Sequence, residues 1–268
     1  MTPRGSSSRT TQLDLADIVK GERPKMQKAE SSLLRGLSVL NAFRESDSEL
    51  SLTQIAQRAK LPKSTAHRLV SDLTAWGALE PTATGLRLGI RLFELGHLVP
   101  VHRELREIAM PFLEDLYQIT QKTVNLAILD KNEILYVEKL VWPGIPMPDS
   151  RSGGRLPLHC TALGKAMLAF SPASVGDEVT QRGLTPATDR SITSVAVFRR
   201  ELAEVRHTRI AFDREELALG LFCVATPLMD HGGELVGAIS VSGFESILNA
   251  RNIGPALLTV SRGISREL

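Results

Sequence analysis

Ser240 and Ser242, in the run GAISVSG, are the first residues whose type and spacing could do chemistry. On a strand, residues i and i+2 face the same way, so both hydroxyls are offered to one ligand as hydrogen-bond donors. Thr161, Ala162 and Leu163 read as the opening of a helix, where unpaired backbone N–H groups suit a carboxylate. Three Pro and three Gly between Val141 and Gly154 predict a long irregular loop of the kind that lids a pocket, with Leu140 and Met147 as apolar walls. Catalysis is the competing reading, through Cys160 beside His159 or Cys223 with a distant His. Neighbours on a strand point to opposite faces, which places His159 badly to activate Cys160. Ala238 stands where the first Gly of a G-x-S-x-G elbow belongs. No metal-ligand cluster, phosphate loop or dinucleotide fingerprint is present, so neither metal nor cofactor is expected and the chain reads as a binding protein.

A second group of polar residues lies in SLTQIAQRAKLPKSTAHRLVSDLTAWG, Ser51 to Gly77. Leu52, Ile55, Ala56 and Ala59 fall at helical spacing. Ser51 three residues before Gln54 forms a capping box, and Pro62 suits the start of a second helix. There Ala66, Leu69, Val70, Leu73 and Trp76 form the expected buried stripe, and Gly77 ends the helix. Lys63, Ser64, Thr65, His67 and Arg68 are left on the outer face, where a helix-turn-helix protein meets the major groove. Ser64, Thr65 and His67 are expected at base edges. Lys63, Arg68 and Arg87 are expected at phosphates, with Thr53 on the first helix as a further DNA contact. A preceding stripe of Leu33, Leu34, Leu37, Leu40 and Phe43 and a following Leu79–Pro81, Leu86–Leu88 hairpin complete a winged helix-turn-helix over residues 31–89. The same helices could instead form a hairpin that binds a protein partner.

Charge supports the DNA reading. Residues 1–95 carry 14 Lys and Arg against 10 Asp and Glu, a net of +4, and the rest carry 18 against 20. A basic end on a near-neutral chain suits a polyanion. Residues 1–30 are polar and rich in Ser, Thr, Lys and Arg, and read as a mobile arm with a short helix possible at Leu13 to Val19. No apolar run approaches ~18 residues, so no membrane helix is expected. MTPRGSSSRTTQ has no apolar core for secretion. Two distant cysteines fit a reducing cytoplasm.

IRLFELGHLV, residues 90–100 with its Pro stop, is apolar enough to need a partner, and predicts a linker helix that pairs two copies into a dimer. A long helix from Val101 to about Gln121 follows, with a bend at Pro111. TVNLAIL and ILYVEKL then form a hairpin turning at Asp130–Glu133. Three helices follow, one of them capped by Ser171 with Pro172 first. Strands at Arg209–Phe212, LFCVATPL and ELVGAISVSG and a last helix near Asn252–Arg266 close the chain. Hairpin strands with helices grouped between them indicate an α+β fold with an antiparallel sheet over residues 101–268.

Over about Ser31 to Phe244 the chain resembles the IclR-type bacterial transcriptional regulators. The matching runs are LRGLSVLNAF, LSLTQIAQRAKLPKSTAHRLVSDLTAWG, LRLGIRLFELG, PLHCTALGKAMLA, GLTPATDRSIT, FDREELALGLFCVATPL and GAISVSG. The resemblance implies a winged helix-turn-helix, a linker helix and a C-terminal effector-binding domain of GAF-like fold. It further implies a homodimer or homotetramer that binds double-stranded operator DNA of a catabolic operon, as a repressor answering to a small organic acid, aliphatic or aromatic. The positions that line the family's effector site correspond here to Ala162, Leu163, Asp213, Cys223, Ser240 and Ser242. One departure concerns the residues before Ile210. The family has a Gly followed by an aromatic residue, whereas this chain reads Arg206-His207-Thr208-Arg209-Ile210.

Overall fold

The computed structural model describes residues 31–268 apart from 45, 144–150 and 245–249. The arm at residues 1–30, its Leu13–Val19 segment and Met147 lie outside the described residues. The chain divides into two compact units, one ending at Glu94 and the other running Leu95–Leu268.

In the first unit, α1 (Ser32–Leu40), α2 (Leu52–Arg58) and α3 (Lys63–Trp76) precede a two-stranded wing, β1 (Leu79–Pro81) and β2 (Leu86–Leu88), and α4 (Ile90–Gly96) follows. The capping box forms as read: Gln54 N–H donates to Ser51 Oγ, and Ser51 N–H donates to Gln54 Oε1 at 2.9 Å. Gly77 closes α3 at φ +89°, in the left-handed region. Val39, Ile55, Leu69, Val70 and Leu79 make the core. Arg58 pairs with Asp47 and donates to Ala42 O, tying the end of α2 to the preceding loop. That guanidinium holds the Asp47 carboxyl below its ordinary range.

Three expectations change. Trp76 is exposed rather than buried, because the last turn of α3 extends past the core, and Arg91 stacks over its ring. Leu33, Leu34 and Leu37 are exposed too, while Gly36 and Val39 face inward. Pro100 does not end a helix but begins one, α5 (Pro100–Thr120), consistent with proline's fit at a first helical position.

The second unit is a six-stranded antiparallel sheet in the order β5-β4-β3-β8-β7-β6. Its strands are β3 (Thr123–Asp130), β4 (Glu133–Leu140), β5 (Arg155–Pro157), β6 (Ala211–Arg214), β7 (Phe222–Met229) and β8 (Leu235–Gly243). α5 and α9 (Ala250–Ile264) cover one face, over Val124, Leu126, Val224, Ile239 and Val241. α6 (Ala162–Leu168) and α8 (Val195–Thr208) cover the other, over Ala127, Tyr136, Ala211, Ala225 and Ala238. α7 (Ala173–Arg182) lies between them in sequence. Its cap is Pro172, not Ser171, whose hydroxyl donates back to Met167 O at 2.9 Å. Both faces being covered explains why β3 is buried almost throughout rather than alternating.

The departure before Ile210 has a conformational consequence. Arg209 caps α8 at φ 60°, ψ 17°, a left-handed position that glycine fills without strain. Its guanidinium lies 5.1 Å from the Phe170 ring centroid, an attraction that offsets part of the cost. Arg209→Gly is therefore expected to be more stable than Arg209→Ala by about 1 kcal/mol, since both lose the stacking and only the alanine keeps the strain. Urea midpoints of the two variants measure this, and equal midpoints would show that the position is unstrained.

Candidate effector cavity and DNA-facing surface

The register of the sheet assembles the polar residues. Asp213 pairs with Cys223, and Cys223 with Ser242, which in turn pairs with Thr123 on β3. The next row on the same face runs Ala211, Ala225, Ser240 and Asn125. Alanines in these rows keep the sheet surface low, and α6 lies above it. Gly164 packs against the turn that leads into that helix, where a Cβ would stand 2.1 Å from Leu158 O.

The result is a cavity of about 10 Å³, room for one water. Tyr136, Thr161, Ala162, Leu163, Asp213, Leu217, Leu221, Cys223, Ser240 and Ser242 line it. Six of the eight residues expected at an effector site thus meet in one place. Leu140 does not: it pairs with Val124 and packs with the α5–α9 cluster on the opposite face. Asn125, beside the cavity, is a polar residue that sequence reasoning missed. Asn125 donates through Nδ2 to Ser240 Oγ at 3.0 Å and Ser242 Oγ at 3.1 Å. The one available signal for it was a lone amide inside the apolar run TVNLAIL.

Thr161 caps α6, its hydroxyl accepting from Gly164 N–H at 3.1 Å and donating to Pro157 O at 2.8 Å. Lys165, one turn on, is fully buried and pairs with Glu216 at 2.5 Å and Glu201 at 3.3 Å. Glu216 N–H donates to Asp213 Oδ1 at 2.7 Å, and Leu217 N–H reaches the same oxygen at 3.4 Å. Asp213 Oδ2 is buried without a partner. Burial pushes the Asp213 carboxyl up to about 7, opposed by the Glu216 N–H; the Glu216 carboxylate adds to the rise and Lys165 opposes it.

The same burial bears on the cysteines. Cys160 is pushed up to about 12 by burial, with Asp213 and Glu216 adding to it. Burial and Asp213 push Cys223 up as well. Both therefore stay thiols at neutral pH, the opposite of what a nucleophile requires. His159 Nε2 contacts Thr185 O at 2.8 Å. Among the described residues no group of His, Cys, Asp and Glu could hold a metal ion. No helix there is long and apolar enough to cross a membrane. The cavity lining offers hydroxyl groups and a carboxyl group.

In the other unit, Thr53, Lys63, Ser64, His67 and Arg68 are exposed and Thr65 is half-buried. Lys63, Ser64, His67 and Arg68 open α3 on the side away from the buried Ala66 and Leu69. Arg68 is only loosely held, by Asp72 at 3.5 Å and Ser32 Oγ at 3.4 Å. Arg87 on the wing pairs with Glu80 at 2.8 Å, and Ile90 N–H and Arg87 together hold the Glu80 carboxyl below its ordinary range.

Residues 32–83 match the IclR helix-turn-helix domain, and residues 97–266 match the bacterial transcriptional regulator IclR C-terminal domain. The chain is 34% identical to the HTH-type transcriptional regulator XynR of Escherichia coli over 218 residues, 80% of this chain and 86% of the relative. It is 32% identical to the transcriptional repressor IclR of the same organism over 84% of this chain and 85% of that one. A crystal structure of an IclR homolog from Microbacterium hydrocarbonoxydans complexed with 4-hydroxybenzoate superposes with a TM-score of 0.80 at 29% identity, over 89% of this chain and 99% of that one. The Thermotoga maritima IclR structure gives 0.75 at 30% identity, over 88% and 98%. The α3 surface, the cavity and these likenesses converge: the chain belongs to the IclR family of bacterial transcriptional regulators.

Proposed function

We propose that the chain is a homodimeric, cytoplasmic repressor of a catabolic operon whose hold on double-stranded operator DNA is set by a small organic acid bound beneath α6. The observation that carries the acid-binding part is the convergence of Ser240, Ser242, Asp213 and Cys223 on one cavity beside the Ala162 and Leu163 backbone. The related structure holding 4-hydroxybenzoate supports the choice of an acid. The exposed opening of α3 supports the DNA part, with Ser64, Thr65 and His67 at base edges and Lys63, Arg68 and Arg87 at phosphates. Thr53 on α2 adds a contact beside them. On this reading the chain comprises an arm over 1–30, a winged domain over 31–89, a linker helix over 90–100 and an effector domain over 101–268.

Dimerisation is supported by apolar surface that a lone protomer leaves to water. Along α4, Ile90 is 62%, Phe93 63% and Leu95 43% exposed. Apolar side chains exposed along one helix in this way mark an interface. A pair of recognition helices then meets two half-sites of a near-palindrome.

Three measurements test this reading. Ser240→Ala with Ser242→Ala should bind operator DNA as before while losing the acid response, normally a 5–150-fold change in affinity; an unchanged response overturns the site. Arg68→Ala should weaken binding to all sequences and lower the slope of log affinity against log salt by about one, whereas altered preference at one base would make Arg68 a base reader. Phe93→Asp should shift the chain from dimer to monomer in sedimentation, and an unchanged dimer would place the interface elsewhere.

A further inference from the structure

We propose that the cleft between α7 and α8 is a second ligand site, taking a small anion with an apolar body whose head group is held by Arg206. The cleft measures about 210 Å³, against about 10 Å³ for the cavity beneath α6. Sites for drug-sized molecules begin at roughly 300 Å³, so this one fits a single ring or a short branched chain. No residue lines both places, and the inference stands apart from the acid-binding reading of the cavity.

The two ends of the cleft differ in charge. Near the start of α8, Arg199 pairs with Asp177 of α7 at 3.1 Å, which leaves that end neutral. Arg206 lies seven residues further on, about 10 Å along the helix. Its Nε donates to Ala169 O at 2.8 Å, so one edge of the guanidinium is held while the N–H groups of both terminal nitrogens stay free to donate. Among the described residues no carboxylate pairs with it. A guanidinium anchored in this way grips a carboxylate or phosphate through two parallel hydrogen bonds.

Between these ends the walls are carbon. Leu168 of α6 and Phe198 and Leu202 of α8 lie at the base, and Ala173 and Gly176 face them from α7. The Thr180 hydroxyl is turned away, donating to Asp177 O at 2.9 Å. A polyol would bury its hydroxyls here without partners, whereas a ring or branched chain has none to lose. Gly176 keeps this stretch open. Glycine is unfavourable inside a helix, and nothing local requires it here. Its φ is not positive, and no atom lies within 4 Å of where a Cβ would stand.

The test is equilibrium dialysis of the full chain with phenylacetate and phenyl phosphate, read as equivalents bound per chain. Phenylacetamide removes the charge and acetate removes the body. At least one aromatic anion should fill an equivalent that Gly176→Leu abolishes, since the leucine enters open space without a clash. Arg206→Gln should weaken the same equivalent at least about tenfold, and both control compounds should bind it at least about tenfold more weakly. Ser240→Ala with Ser242→Ala should leave it in place. A count unchanged by Gly176→Leu, or an equivalent lost with the two serines, overturns the cleft as the site. Phenylacetamide or acetate matching the aromatic anions overturns the stated ligand class. No binding by either aromatic anion overturns the proposal and leaves the reading of the inner cavity untouched. If Gly176→Leu does not fold, Arg206→Gln decides alone, and unchanged affinity in that variant overturns the site.

Discussion

The strand register of the C-terminal unit is the constraint on which its other features depend. Because side chains alternate faces with a period of two, fixing Cys223 opposite both Asp213 and Ser242 fixes the facing of the side chains on β6, β7 and β8 as far as the irregularity between Leu228 and Met229. Slipping one strand by one residue would turn Ser240 and Ser242 toward α5 and α9, and would drive Val241 and Ile239 under α6. The apolar set on the α5–α9 side, with Val224, Ile239 and Val241 all buried, opposes such a slip. The apolar face thus stabilises the polar one: the energy that holds the serines in place comes from hydrophobic contacts on the far side of the sheet.

The polar face is costly by comparison. It buries Asp213, Glu216, Lys165, Asn125, Ser240 and Ser242 within one region. Lys165 is neutralised by Glu216 and Glu201, yet a buried ion pair rarely repays the dehydration of its members against an apolar replacement. Asp213 Oδ2, Glu216 Oε2 and Asn125 Oδ1 all lack partners. Buried polar atoms are normally satisfied, and exceptions concentrate where a protein does something other than fold. Asp213's upward shift toward 7 reports the same cost, since the folded state binds a proton that the unfolded chain releases near 3.8. This contribution favours the folded state below the unfolded value and is lost as pH rises to about 7.

Much of the fold was legible because local signals repeat the tertiary ones. The Ser51–Gln54 box, the 3.6-residue stripes of α2 and α3, and the turn between β3 and β4 each state their structure within a few residues. Legibility failed where an outcome depends on what lies opposite. Leu33, Leu37 and Trp76 sit in apolar stripes, but a stripe specifies that a face is apolar and not whether its own protomer covers it. Leu140 was read as a pocket wall from its place beside a loop, whereas strand pairing with Val124 turns it to the other face. Asn125 was overlooked because its partners lie 115 and 117 residues away. The serines, by contrast, share one strand, and their common face follows from spacing alone.

Regulation places a further demand on such a cavity. A ligand shifts a conformational equilibrium only by the difference in its affinity for the two states. Generic apolar burial persists through small rearrangements and discriminates weakly between them. A hydrogen bond to a buried carboxyl oxygen does not persist, because its strength falls steeply with distance and angle. Asp213 is positioned by the N–H groups at Glu216 and Leu217, and Glu216 is gripped by Lys165 on α6 and shares that lysine with Glu201 on α8. The orientation of the free oxygen is thus tied to the placement of two helices. A ligand that paired with it would therefore be read by both helices at once.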